Sequence, residues 1–271
     1  MKLAVSNIAW EPLEEPAVRE IMRRYGAAGV EIAPTKVWGS PADTEPDEVT
    51  AVRRSWAKDG FKVAALQSLL FAHPELTIFD GDAARAATEQ YLEKIIQLAG
   101  RLGAGALVFG SPKNRLAGTK PRAEIEQIAR GFFQRMADAA VASNTCFCLE
   151  PNPPEYGCDY VTNVNEALSV IRDIDHPGLR LNLDTGIMTM NREPVEPTIE
   201  AAFPWIGHVH LSEPRLATVG SGAVDHRRIG RALNNFNYTG WVSIEMRAQA
   251  GGTNSSSVET ALRAATEFYV I

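Results

Sequence analysis

Eight short runs with strand character recur along the chain, and stretches with helical periodicity lie between them. The runs are KLAVSN (2–7), GVEIA (29–33), KVAALQS (62–68), GALVFGS (105–111), TCFCLEP (145–151), LRLNLDT (179–185), IGHVHLS (206–212) and WVSIEM (241–246). Strands covered on both faces read as near-continuous apolar runs, and a parallel neighbour is reached only through a crossover, usually a helix. Between the runs, Val18, Ile21, Met22 and Tyr25 share one helical face, as do Thr88, Tyr91, Leu92, Ile95, Ile96 and Ala99, and later Ile229, Ala232, Leu233 and Phe236. Glycines precede several runs, in YGAAGV, LGAGAL and YTGW, where a helix must stop and the chain must turn back. Eight such units within 271 residues predict a single-domain (β/α)8 barrel over 1–271. A doubly wound sheet would more often place G-x-G-x-x-G after its first strand, and here that turn reads SNIAWEP.

The net charge of −6 provides no basic footprint for a nucleic-acid backbone or an anionic membrane surface. A small molecule is the expected partner. The opening stretch MKLAVSNIAWEPLEEP fits no signal peptide, and no run is long enough to span a membrane. Cys146, Cys148 and Cys158 form no C-x-x-C pair and are expected to be reduced, mostly buried thiols of a cytoplasmic protein.

The last four strands each close on an ionisable residue: Glu150, Asp184 in LNLDTG, His210 in HVHLSEP and Glu245 in VSIEMR. In a (β/α)8 barrel these strand ends open onto the active-site mouth, so the four side chains converge on a small volume. Singly, each reads as a rim residue that caps a helix or satisfies a carbonyl. Together, three carboxylates would repel, and burying them uncompensated costs on the order of several kcal/mol per ion. No Lys or Arg stands at the matching point of those strands, so one bound divalent cation is the expected counter-charge. Three carboxylates and an imidazole form a hard donor set that favours Mn²⁺, with Mg²⁺ and Co²⁺ as alternatives.

The order Glu, Asp, H-x-H, Glu, with intervals of 34, 26 and 35 residues and the motif HVHLSEPR, resembles the xylose isomerase-like barrels of the sugar phosphate isomerase/epimerase superfamily. Within that superfamily the pattern is most similar to the ketose 3-epimerases. The resemblance implies that Glu150, Asp184, His210 and Glu245 hold one divalent metal. It further implies a sugar or sugar phosphate isomerase/epimerase in which the metal stabilises an enediolate, Glu150 and Glu245 remove and return the proton, and Asp184 and His210 act as ligands only. Glu155 and Arg215 match, by rough position, the acid and the arginine that contact substrate hydroxyls in those epimerases. Two positions depart from the pattern: Ile187 stands where the epimerases usually carry a histidine, and Gln67 and Ser68 close strand three where many relatives have one. Hydroxypyruvate isomerases and inosose dehydratases share the metal frame, so an inosose dehydratase-like lyase is the alternative reading.

Two further classes fit less well. An endonuclease IV-like repair enzyme needs three zinc ions and several histidines, but this chain has five histidines, and His73, His176 and His226 close no expected strand. A non-catalytic sugar-binding barrel is disfavoured by the two intact glutamates. Relatives are often dimers or tetramers, which leaves a homo-oligomer as an open expectation.

Other candidates have competing structural roles. Asn7 and Trp10 close strand one and could bond or stack on a sugar, and a packing role for Trp10 is equally supported. Lys113 and Arg115 in FGSPKNR could meet a phosphate or carboxylate, or form a solvated basic loop. Glu213 is either a brace for a ligand or a loop acid. His208 is expected to point away from His210 and to pack as a structural residue. Leu69, Leu70 and Phe71 are expected on a loop, at an interface or at the mouth.

Overall fold

The computed structural model describes residues 1–249 and 253–270. Eight parallel strands close into a barrel in chain order. They are β1 (Lys2–Ser6), β2 (Gly29–Ile32), β3 (Lys62–Leu66), β4 (Ala106–Phe109), β5 (Cys146–Leu149), β6 (Leu179–Asp184), β7 (Ile206–Ser212) and β8 (Trp241–Glu245). Closure is made by β8 against β1, with Lys2 beside Trp241 and Val5 beside Ile244. The (β/α)8 architecture expected from the sequence is therefore present. The sequence places several strand ends too late: Gln67 and Ser68, Gly110 and Ser111, and Glu150 and Pro151 lie past the last ladder residue. Those residues sit where the chain leaves the sheet to turn over the mouth.

The helices described are α1 (Glu15–Arg24), α2 (Pro46–Lys58), α3 (Asp82–Leu102), α4 (Arg122–Ala142), α5 (Val164–Ile174), α6 (Thr185–Met190), α7 (Val195–Ala202), α8 (His226–Asn235) and α9 (Asn254–Tyr269). Their apolar faces meet the outside of the barrel in one continuous cluster that includes Val18 and Met22 of α1, Leu92, Ile95 and Ile96 of α3, and Ile229 and Leu233 of α8. Phe109 of β4 packs on Phe132 and Phe133 of α4, and Phe147 of β5 on Phe133, with ring centroids 6.0 to 6.5 Å apart. Leu69 and Leu70 join this core, while Phe71 is 66 % exposed.

A second, small cluster of Ala65, Ala106 and Cys148, with Cys146 against it, fills the bore of the barrel. All three cysteines are free, and the sulfurs of Cys146 and Cys148 lie 3.5 Å apart. Small side chains here leave room for polar groups above them. Two register shifts adjust the rungs that carry those groups: one falls between Val30 and Glu31 of β2 against β3, the other between Leu181 and Asn182 of β6 against β7. In the second, Gly207 is the extra residue, and a Cβ there would come within 2.7 Å of Arg180 Cβ and Cys148 Sγ. Bulges of this kind re-aim side chains beside functional sites.

Candidate active site

Register brings Asp184 beside His210, His210 beside Ser243, and Ser212 beside Glu245 at the C-terminal rim of β6, β7 and β8. Glu150, one residue past β5, completes the group. One ligand atom from each of Glu150, Asp184, His210 and Glu245 lies within 4.8 Å of all the others. His210 Nδ1 stands at the centre, 3.1 Å from Glu150 Oε1, 3.2 Å from Glu245 Oε2 and 3.8 Å from Asp184 Oδ2. That nitrogen is fully buried and makes no hydrogen bond. Among the described residues no Lys or Arg forms an ion pair with any of the four. Three carboxylates converging on one ring nitrogen, with no Lys or Arg paired to them, match the donor set of a hard divalent cation.

Electrostatics points the same way. Burial and the neighbouring charges of Glu150 and Glu245 push the Asp184 carboxyl up to about 8. Burial also raises Glu245, against the opposing pull of His210. For His210, burial favours the neutral ring, but the charges of Glu31 and Glu245 outweigh it and raise its pKa well above the usual value. A cation placed among these groups would relieve all three carboxylates at once.

The four side chains are held to different degrees. Asp184 is the last residue of β6 and also caps α6, its Oδ1 accepting the Ile187 N–H at 2.6 Å. Ser212 Oγ donates to the same carboxylate, 2.7 Å from Oδ1 and 2.8 Å from Oδ2. Glu150 accepts from Asn182 Nδ2 at 2.7 Å and from Asn152 Nδ2 at 3.3 Å. Gly110 makes room for it: a Cβ there would lie 2.5 Å from Glu150 Oε2. Among the described residues, Glu245 has only His210 as a close partner. The two glutamates are also the most open of the set, 8 % and 9 % exposed, against 2 % for Asp184 and 1 % for His210.

A profile of the xylose isomerase-like TIM barrel family matches residues 20–268. The chain belongs to that family. A D-psicose 3-epimerase of Ruminiclostridium cellulolyticum is 27 % identical over 178 residues, which cover 65 % of this chain and 59 % of that enzyme. The matched stretch thus spans about three fifths of the relative's length. Among solved structures, a D-psicose 3-epimerase crystallised in the presence of D-fructose superposes with a TM-score of 0.81 at 19 % identity, over 99 % of both chains. An IOLI protein with a bound zinc atom superposes with a TM-score of 0.76 at 17 % identity, over 99 % of this chain and 98 % of that one. At these identities the superpositions establish the shared fold.

Around the four-residue cluster of this xylose isomerase-like barrel, the structure sorts the weaker candidates. Glu155 and Arg215 are exposed at the rim with no side-chain partner among the described residues, and the Arg215 backbone N–H donates to Tyr156 Oη at 2.8 Å. Lys113 is exposed and lines a cavity of about 340 Å³ with Ser68, Phe71 and Ser111. Gln67 is buried and donates to Ser6 Oγ, while Asn7 Oδ1 accepts the Ala33 N–H at 2.8 Å. Both tie strand ends together. Trp10 is corrected to a core residue: it is 1 % exposed and packs on Trp56 with ring centroids 6.5 Å apart, leaving no open face for a sugar. Arg115 is fully buried and donates to Cys158 Sγ and Val161 O, so it belongs to no basic loop. Glu213 accepts from Gly220 and Val224 N–H groups and braces the β7–α8 connection. The remaining histidines are dispersed, His73 near Glu75, His176 near Asp138 and His226 against Tyr269 Oη, which assembles no three-zinc site among the described residues.

His208 overturns its expectation. Residues two apart in a strand share a face, so His208 and His210 both point into the bore, their rings edge to face at 5.4 Å. The sequence reading also passed over Glu31, a fully buried acid on β2 whose Oε1 lies 3.0 Å from His210 Nε2. Its signal was a lone charge inside the apolar run GVEIA. Burial alone would raise its pKa, but the charges of His210 and His208 lower it far below the carboxylate range. Asn182, Ser212 and Tyr156 were missed as well. They are neutral, and only the folded chain reveals what they touch.

Proposed function

We propose that this protein is a divalent-metal-dependent isomerase or epimerase of small keto sugars, with Mn²⁺ as the favoured ion. The supporting observation is the convergence of Glu150, Asp184, His210 and Glu245 within 4.8 Å at the mouth of the barrel. These four residues would hold the ion, which supplies the polarisation that acidifies the C–H next to a sugar carbonyl. The reading agrees with what the epimerase relatives are named for.

The protein's own groups then divide by how firmly they are held. Asp184 is fixed by Ser212 and the α6 N–H and serves as a ligand only. Glu150 and Glu245 reach the centre from β5 and β8, three strands apart around the wall, and both open toward the mouth. One removes the C–H proton of the bound sugar and the other delivers a proton to the opposite face or the adjacent carbon. Glu245, held by fewer partners than Glu150, is the freer of the two to carry the transferred proton. Glu155 and Arg215 at the rim are proposed to bond the sugar's hydroxyls, with Asn7, Gln67 and Lys113 as outer candidates. Ile187 is 4 % exposed and apolar beside Asp184, so it supplies no hydrogen bond to the reacting oxygens. The substrate is therefore held differently from that of epimerases with a histidine at this position.

The experiment is a screen of ketopentoses and ketohexoses in deuterated buffer with Mn²⁺-loaded protein. Deuterium entering the carbon next to the carbonyl, absent in Glu245→Gln, is the expected result. Loaded protein that exchanges no proton of any keto sugar or keto sugar phosphate would overturn the assignment.

A further inference from the structure

Beneath the proposed metal, the bore holds a layer of buried polar groups that the reaction does not use. Glu31, His208, Asn182 and Ser243 are each 0 % exposed. Glu31 Oε2, both ring nitrogens of His208, Asn182 Oδ1 and Ser243 Oγ have no hydrogen-bond partner. Burying a carboxylate at this depth costs several kcal/mol unless a specific contact compensates it, on the order of the penalties known for buried ions. Glu31 has one contact of hydrogen-bonding length, its Oε1 at 3.0 Å from His210 Nε2. His208 Nε2 stands 3.7 Å from the other oxygen, too far to bond and close enough to wall it in. The register shift between β2 and β3 falls at Glu31 itself, and the shift between β6 and β7 falls on the rung that pairs Asn182 with His208. Both distortions aim side chains at this layer.

We propose that Glu31 is a positioning residue that fixes the tautomer of His210. A neutral imidazole carries one N–H and one lone pair, and a metal needs the lone pair. By accepting the Nε2–H, Glu31 leaves Nδ1 bare, and Nδ1 is the nitrogen that faces Glu150, Asp184 and Glu245. Without Glu31 the ring can carry its proton on either nitrogen and can turn about its Cβ–Cγ bond, so binding must first select the productive form. His208 acts through Glu31 by restricting its carboxylate. This proposal rests on the metal reading of the four-residue cluster.

Zn²⁺, which is diamagnetic, is titrated into metal-free wild type, Glu31→Gln and Glu31→Ala against a chromophoric chelator, and the loaded proteins are examined by ¹⁵N-histidine NMR. Wild type is expected to bind one Zn²⁺ and to show a protected imidazole N–H assigned to Nε2 of His210. The affinity should fall about tenfold in Glu31→Gln, whose amide oxygen still accepts, and about a hundredfold in Glu31→Ala, the range seen when outer partners of metal-bound histidines are removed. The protected N–H should broaden or vanish in Glu31→Ala. Folded variants that bind as tightly as wild type with the same N–H signal would overturn the proposal while leaving the metal site standing. If Glu31→Ala fails to fold, the isosteric Glu31→Gln decides, and an unchanged affinity there overturns it. Two Zn²⁺ per wild-type chain, the second lost in Glu31→Gln, would make Glu31 a ligand and not a positioning residue. Failure of wild type to bind Zn²⁺ or Mn²⁺ would remove the metal reading itself.

Discussion

The half of the barrel built from β5 to β8 supplies all four groups of the candidate metal site, whereas β1 to β4 supply none of them. At the same level the first half ends its strands on amides and hydroxyls that bond one another, Asn7 to Ala33 and Gln67 to Ser6, and on Gly110, which yields space to Glu150. Glu31 is the charged exception, and it reaches across to His210 in the other half. Adjacent strands can bring like charges within reach of one cation; the facing wall sets the cavity's shape and the orientation of what the cation binds. Changes to the four clustered residues of the second half should therefore destroy turnover or metal content, and changes in the first half should weaken metal affinity while the chemistry survives.

The sharpest test of that division is Glu245→Gln, which keeps shape and removes a proton carrier. Turnover should fall by about 10²- to 10⁴-fold, the span expected for a lost general base, with the melting transition retained. Near wild-type turnover would place the base elsewhere. Next in size is Gly110→Ala in the first half. Its new methyl would crowd Glu150 Oε2, and the Asn182 and Asn152 bonds keep that carboxylate from moving away freely. Metal affinity should drop about tenfold, comparable to disturbing an outer contact of a ligand. An unchanged affinity would mean that Glu150 has slack the structure does not suggest.

A smaller effect concerns pH. The folded protein without metal holds the Asp184 proton up to about 8, whereas an exposed Asp releases it near its ordinary 3.8. This raised value contributes stability that is present below about pH 4 and lost as pH climbs toward 8. A cation replaces the proton, so the rise in Tm produced by Mn²⁺ should grow between pH 5.5 and pH 8. Calorimetry showing a metal-induced rise that shrinks over this interval would contradict it. The smallest effect is expected for His208→Asn, which should leave metal content at about one per chain. Loss of the metal there would mean that the wrong histidine of the H-x-H pair is the ligand.

The barrel was legible in the sequence because both of its periodicities are strong: apolar runs recur between helical faces such as Leu92, Ile95 and Ile96, and β7 occupies 206–212 as read. Strand ends were less legible, since Gln67, Gly110 and Glu150 continue the apolar pattern's direction after the ladder has stopped. The convergence of Glu150, Asp184, His210 and Glu245 could be anticipated because charge at the end of an apolar strand is costly without a purpose. Glu31 escaped for the opposite reason: its partner His210 lies 179 residues away, and nothing local names it. His208 was misplaced although the period of two in a strand already put it on the face of His210. Trp10 was ambiguous because an indole before a turn suits a core and a sugar equally, and only its contact with Trp56 separates the two.

Metal content tests the central claim most directly. Wild type and Asp184→Asn, which keeps the α6 cap and the Ser212 contact in shape, are dialysed against Mn²⁺, freed of excess ion and measured by elemental analysis. The account predicts about one Mn²⁺ per wild-type chain and little or none in the variant. No metal in either protein would contradict it, and the convergence of Glu150, Asp184, His210 and Glu245 would then need another explanation.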